Sequence, residues 1–323
     1  MRRLLTGLAV AAVLVAASTA CGSPSPNPPA APEGGKQPDS VKVGVIPILD
    51  VAPIYLGKDK GFFSSRGMDL TMESGQGGAA IVPGVVSGQF QFGFSNVTSL
   101  MVAQSKGVPI KGVANGVAST GVDGEDFGGI VVKGDSPIRS AKDLAGKKVA
   151  VNTLKNIGDT SVRASVRKAG GDPGAVRFVE IAFPQMPAAL DAGQVDAAWV
   201  VEPSLTAVKA KGGRVVASNF VDTAPDLTVA LYFTSDKLQA DNPDLVKRFQ
   251  EAMRESLTYA DAHPDEVRQI LTTYTKIDAA SLPGLILPKW PAEPNRASLE
   301  ELAKLSRQDG LFATAPDLAK LVP

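Results

Sequence analysis

The sequence predicts an α/β protein made of two successive strand–helix units and a helical tail. Three observations carry that expectation. Short apolar strands alternate with helical segments from residue 41 to residue 234, at the spacing of βαβ units in a parallel sheet. The alternation ends with a strand near residue 133 and restarts at Lys148. Beyond residue 243 the chain reads almost wholly as helix.

The first unit opens with a strand at 41–46, alternating and then apolar. A helix at 52–60 follows, stopped by Gly61, since glycine is the residue that leaves a helix most easily. A strand at 68–73, a helix at 79–86, a strand at 91–95, a helix at 100–106 and strands at 109–117 and 129–133 complete it. The second unit has strands at 148–151, 176–181, 195–201 and 215–218, with helices at 159–169, 186–192 and 204–211 between them. One more strand is expected at 229–234, then helices at 243–261, 264–274 and 298–309. Two such units leave a cleft between the carboxyl ends of their strands, and ligands of open α/β sheets bind outside those ends. The loops that matter are therefore 47–52, 74–78, 95–98, 152–159 and 202–203.

The amino terminus carries a different message. Arg2 and Arg3 precede an apolar run of 14 residues, 4–17, and then Ser18-Thr19-Ala20-Cys21. A charged start, a short apolar core and small residues at its end make a secretory signal; the run is shorter than the roughly 20 residues of a membrane-spanning helix. Cys21 is the only cysteine of the 323 residues. Its place directly after small residues resembles a bacterial lipobox, with Ser18 at the third position before it, which implies lipidation of Cys21 and removal of residues 1–20. Residues 22–40, GSPSPNPPAAPEGGKQPDS, are too rich in proline for helix or sheet. They read as a tether that spans about 60 Å when extended, at roughly 3.1 Å per residue.

Composition excludes several classes of function. The chain balances 33 basic against 33 acidic residues, and loss of Arg2 and Arg3 with the signal leaves a charge of −2. Neither nucleic acid nor an anionic membrane is held by charge alone. One cysteine rules out an internal disulfide, and the single histidine, His263, rules out any site that needs two. No phosphate-binding Gly-x-x-x-x-Gly-Lys or Gly-x-Gly-x-x-Gly motif is present, and no cofactor or metal is expected.

Four stretches resemble one known family. They are VGVIPILDVAPIYLGKDKGFF (43–63), SGQFQFGFSNVTS (87–99), SAKDLAGKKVAV (140–151) and ALDAGQVDAAWVVEP (189–203). Together, in this order, they resemble the substrate-binding lipoproteins of ABC importers in the nitrate, sulfonate, taurine and thiamine-pyrimidine-precursor group. Gln91 stands where the family often has Asp, and Trp199 lies two positions earlier than its usual tryptophan. The resemblance implies a two-lobed periplasmic-binding-protein fold of type II with a ligand cleft between the lobes. It places lobe 1 at 41–130 plus 232–323 and lobe 2 at 131–231, with crossings near 131–135 and 229–234. It further implies a small-molecule ligand, an ABC permease with a cytoplasmic ATPase as partner, a monomer, and a lipid anchor at the outer face of the cytoplasmic membrane.

The cleft loops supply the candidate ligand-binding residues. Gln76 and Gly77 lie in a glycine-rich turn before a helix, where backbone N–H groups suit an anion. Thr153 and Asn156 hold the equivalent place in the second lobe, and Ser95 and Asn96 follow the third strand. The same residue types also serve ordinary turns and caps. Asp50 and Glu202 add acid to the cleft. They favour a zwitterion or a nitrogen heterocycle over a bare anion, unless they merely cap the helices that open at Ala52 and Ser204. No arginine lies in these loops to clamp a dianion. Trp199, Tyr55, Met72 and Phe92 read as core. Two alternatives share the fold: a sensor lipoprotein that does not transport, and an enzyme like the thiamine-pyrimidine synthases, which carry a cysteine-rich motif and active-site histidines, whereas the body of this chain has no cysteine and the single histidine His263.

Overall fold

The protein is described from a computed structural model that covers residues 37–322. Cys21, the signal at 1–20 and the tether up to residue 36 lie outside the described residues. The folded body begins at Asp39, two residues before the expected start. Its ten strands are β1 (Asp39–Val45), β2 (Met68–Ser74), β3 (Phe92–Asn96), β4 (Ile110–Ala118), β5 (Gly128–Val132), β6 (Lys148–Val151), β7 (Arg177–Glu180), β8 (Ala197–Val201), β9 (Arg214–Ala217) and β10 (Thr228–Ser235). They form two five-stranded sheets, β2-β1-β3-β10-β4 and β7-β6-β8-β5-β9.

Each sheet is mixed rather than parallel. β1 runs parallel to β2 and β3, but β10 is antiparallel to β3 and β4. In the second sheet β6 is parallel to β7 and β8, while β5 is antiparallel to β8 and β9. The reversal has a topological cause. β5 and β10 are the strands that enter a lobe directly from the other one. A chain arriving at the cleft end of a sheet must run away from the cleft, opposite to the strands whose carboxyl ends face it.

Both crossings come earlier than expected. Residues 129–132 already belong to β5, and residues 229–231 to β10. The chain therefore changes sheet within 119–127 and again within 218–227. The apolar runs at 131–132 and 229–234 pair as ladder strands, because apolar residues are worth more inside a sheet than in a connection. The real connections are polar and bonded to each other. Ser119 N–H donates to Leu227 O (2.9 Å) and Gly124 N–H to Ser218 Oγ (2.8 Å). The Asp126 carboxylate accepts from Ser119 Oγ (2.6 Å), Thr120 N and Phe127 N. Such a double connection is the structural form of a hinge.

The helical tail returns to the first lobe. Helix Pro243–Ala262 puts Leu245, Val246, Phe249, Met253 and Leu257 on one buried face, at the spacing of an amphipathic helix. The Phe249 ring stacks on Phe92 (3.7 Å between centroids, 6° apart) and also meets Phe63 and Tyr232. The second lobe has its own aromatic core, in which Trp199 touches Phe183 and Phe220. Trp199 is 3 % exposed, as expected of a core residue.

Candidate ligand-binding cleft

The loops after the strands of the two lobes meet face to face. The turn after β2 contacts the turn after β6. Gln76 Nε2 donates to Asn152 O (3.0 Å), and Asn152 Nδ2 donates back to Gln76 O (3.2 Å). The approach explains Gly77. A Cβ there would stand 2.8 Å from Thr153 Cγ2 and 3.0 Å from Asn152 Nδ2. Gly78 is tighter still, since an added Cβ would lie 1.7 Å from Ser95 Oγ. Ser95 is therefore a buried neighbour of the helix Gly78–Val86, and its hydroxyl donates to Asn96 O (3.0 Å).

Most of the expected site residues spend their polar groups on the protein itself. Asn96 caps helix Val97–Ser105: its Oδ1 accepts from Ser99 N–H, and its Nδ2 donates to Ser99 Oγ. Asn156 caps helix Ile157–Lys168 by accepting from Gly158 N–H, and its Nδ2 donates to Asn152 Oδ1 (2.7 Å) and Thr153 Oγ1 (2.9 Å). Glu202 is fully buried and caps the helix after it, accepting from Thr206 N (2.9 Å) and Thr206 Oγ1 (2.8 Å). Its carboxylate also accepts from Ile286 N (3.3 Å), and its backbone carbonyl from Leu49 N (3.1 Å). It thus ties lobe 2 to the first cleft loop and to the tail. Burial raises its pKa.

Asp50 is different. It is 3 % exposed, and no side-chain hydrogen bond caps the helix at Ala52. Among the described residues Oδ1 has no partner, nor do the buried hydroxyls of Thr98 and Tyr232. Desolvation pushes the Asp50 carboxyl up to about 7, and the nearby Asp126 adds to the rise. The sequence left cap and ligand contact open for both acids; the fold shows that Glu202 caps and Asp50 does not.

Between the lobes lies a cavity of about 590 Å3. Lobe 1 contributes Pro47 and Ile48, and lobe 2 contributes Phe183, Pro203 and Ala207. The tail closes the third side with Tyr274 and Ile277. Tyr274 is rigidly placed. Its ring stacks on Tyr55 (3.9 Å, 7°), and its hydroxyl donates to Ile48 O (3.1 Å). Sequence reasoning missed this wall because Tyr274 meets Ile48 from 226 positions away, and residues 274–281 directly follow none of the strands that form the two sheets. The prolines at 184, 187 and 203, clustered near strand ends, were the only local sign.

Helix Ile157–Lys168 also reaches the tail. Arg167 Nη2 pairs with Asp309 Oδ1 (2.7 Å), and Thr160 Oγ1 lies 3.3 Å from Ser306 Oγ. The lobes are therefore held on both flanks of the cleft, by this pair and by the reciprocal Gln76–Asn152 bonds. A net hydrogen bond is worth about 0.5–1.5 kcal/mol. Gln76→Ala is thus expected to shift the closed-to-open ratio of the lobes several-fold toward open. Spin labels at Leu154→Cys and Val86→Cys, both exposed, in a Cys21→Ser background report it by pulsed electron resonance. An unchanged distance distribution would show that the pair does not hold the lobes.

Two α/β lobes with a double crossing and a cleft at their strand ends define the periplasmic-binding-protein class of fold. The chain belongs to the NMT1/THI5 like family, whose model matches residues 49–267, so the resemblance read from the four motifs is borne out. It is 26 % identical over 281 residues to the taurine-binding periplasmic protein of Escherichia coli, covering 82 % of this chain and 85 % of that one. It is 23 % identical over 270 residues to the riboflavin-binding protein RibY of Chloroflexus aurantiacus, covering 80 % and 75 %. The alkanesulfonate-binding protein SsuA of Xanthomonas axonopodis, solved with bound MOPS, superposes with a TM-score of 0.73 at 16 % identity, over 89 % of this chain and 99 % of that one.

Proposed function

We propose that this protein is a solute-binding protein outside the cytoplasmic membrane that delivers a small molecule to an ABC permease. A lipid on Cys21 would hold it there as a monomer, with the proline-rich segment as its tether. The observation that carries the reading is the interlobe cavity, walled by both lobes and by the tail, beside a double crossing built as a hinge. Hinged closure over a solute is what such an arrangement does. The relatives are mostly binding proteins, which supports the reading. The chemistry available for catalysis is sparse: His263 stacks on Tyr259 at the start of a helix in the tail (3.8 Å), away from every cleft loop.

The relatives' printed ligands run from taurine to riboflavin, so likeness alone does not choose among solutes. The test is thermal unfolding of residues 22–323 with millimolar taurine, alkanesulfonates, nitrate, pyrimidine precursors and aromatic acids. A solute at 100 times its dissociation constant adds about 2.7 kcal/mol, a rise of several degrees. Failure of every solute to shift the transition would count against solute binding.

A further inference from the structure

The lining of the interlobe cavity carries information about its occupant that the expected loops do not. Those loops are spent: the amides of Gln76, Asn96, Asn152 and Asn156 are bonded within the protein. The open volume lies instead against Ile48, Phe183, Pro203, Ala207, Tyr274 and Ile277. A cavity of about 590 Å3 falls in the range that holds ligands of drug-like size, roughly 300–1,000 Å3. A molecule as small as taurine would leave most of this apolar wall against water.

The walls are also preorganised. Tyr274 is fixed by Tyr55 and by the Ile48 carbonyl. Phe183 is held by Trp199, and its carbonyl accepts from Ser204 Oγ (3.0 Å). Rigid aromatic and proline surfaces favour flat rings, which bury large area for little lost freedom.

The charges at the rim are two. Asp278 is occupied, since its Oδ1 accepts from Ala280 N–H and caps a short helical turn. Lys276 makes no ion pair with any described residue. A single free ammonium without arginine suits one anionic group and not a clamped dianion. The buried acids beside this wall are Asp50, two residues after Ile48, and Glu202, next to Pro203; burial raises the pKa of both, which weakens their repulsion of such a group.

We propose that the solute of this cavity is a flat aromatic molecule bearing one anionic group, its ring between Phe183, Pro203 and Tyr274 and its charge at Lys276. The assignment rests on the solute-binding reading above and names the class of molecule within it.

Titration calorimetry on the mature chain with Cys21→Ser tests it, using 1-naphthalenesulfonate against taurine and methanesulfonate. Burial of the ring at about 25 cal/mol per Å2 should make the naphthalene compound at least about tenfold tighter than either small sulfonate. Ala207→Trp, at an exposed position of the cavity wall, should abolish that binding with the unfolding temperature retained. Lys276→Gln should weaken it about three- to tenfold and remove most of its dependence on salt. Taurine binding as tightly as the naphthalene compound, or full binding by Ala207→Trp, would overturn the aromatic assignment and leave the solute-binding reading standing. An unchanged affinity in Lys276→Gln would remove Lys276 from it. Binding of neither kind of sulfonate would count against both.

Discussion

Asp50→Asn is expected to raise the unfolding temperature at pH 8 by several degrees and to leave it nearly unchanged at pH 4. The carboxyl is buried without a partner for Oδ1, and desolvation lifts its pKa from 3.8 to about 7. Between those values the folded chain keeps a proton that the unfolded chain has released. Stability at this site therefore falls as pH rises through the window, and above it the loss is complete. A shift of about three units corresponds to about 4 kcal/mol. Asparagine has no charge to desolvate, so the variant escapes the loss. Asp159, raised to about 6 by desolvation, imposes the same sign, so the variant keeps a shallower slope and the wild type is more stable at pH 5 than at pH 8. Melting curves of both proteins from pH 4 to pH 8 decide the matter. Parallel curves would show that the Asp50 carboxyl is not the titrating group.

The second large effect is on lobe 1. Phe249→Ala should cost about 3–5 kcal/mol, the usual range for emptying a phenylalanine site in a core. Phe249 is fully buried and touches Phe63, Phe92 and Tyr232. The loss should be local. The first sheet is completed only when β10 and the tail return from lobe 2, so helix Pro243–Ala262 is the clasp that fastens them. Hydrogen exchange should quicken in β1, β3 and β10 while β6 and β8 keep their protection, because the second lobe has a separate aromatic core. Equal deprotection of both sheets would mean that the lobes unfold as one unit.

The elements themselves were legible along the chain. Every strand from β1 to β10 lies within a few residues of its expected place, since alternation and apolar runs are local and bounded by Gly, Pro, Asn and Asp. The cap residues Asn96 and Asn156 were legible too, although as candidates for ligand contact. The ambiguity is chemical. A side-chain amide at a helix start bonds equally well to a solute or to the next turn's N–H groups, and sequence does not say which partner is present.

What the sequence by itself determined is what depends on near neighbours: the two α/β units, the places of the loops that follow their strands, and the family motifs. Tertiary structure alone decided the rest. It set where the chain changes lobe, because a short apolar run can pair in either sheet until its partners are known. It reversed β5 and β10, because direction depends on the end from which a strand enters. It joined Gln76 to Asn152, and Glu202 to Ile286, across 76 and 84 residues. It brought Tyr274 to Ile48 across 226, completing the cavity with the tail. And it separated two similar acids, since a carboxylate's pKa follows from the water and donors left around it after folding, which no stretch of sequence contains.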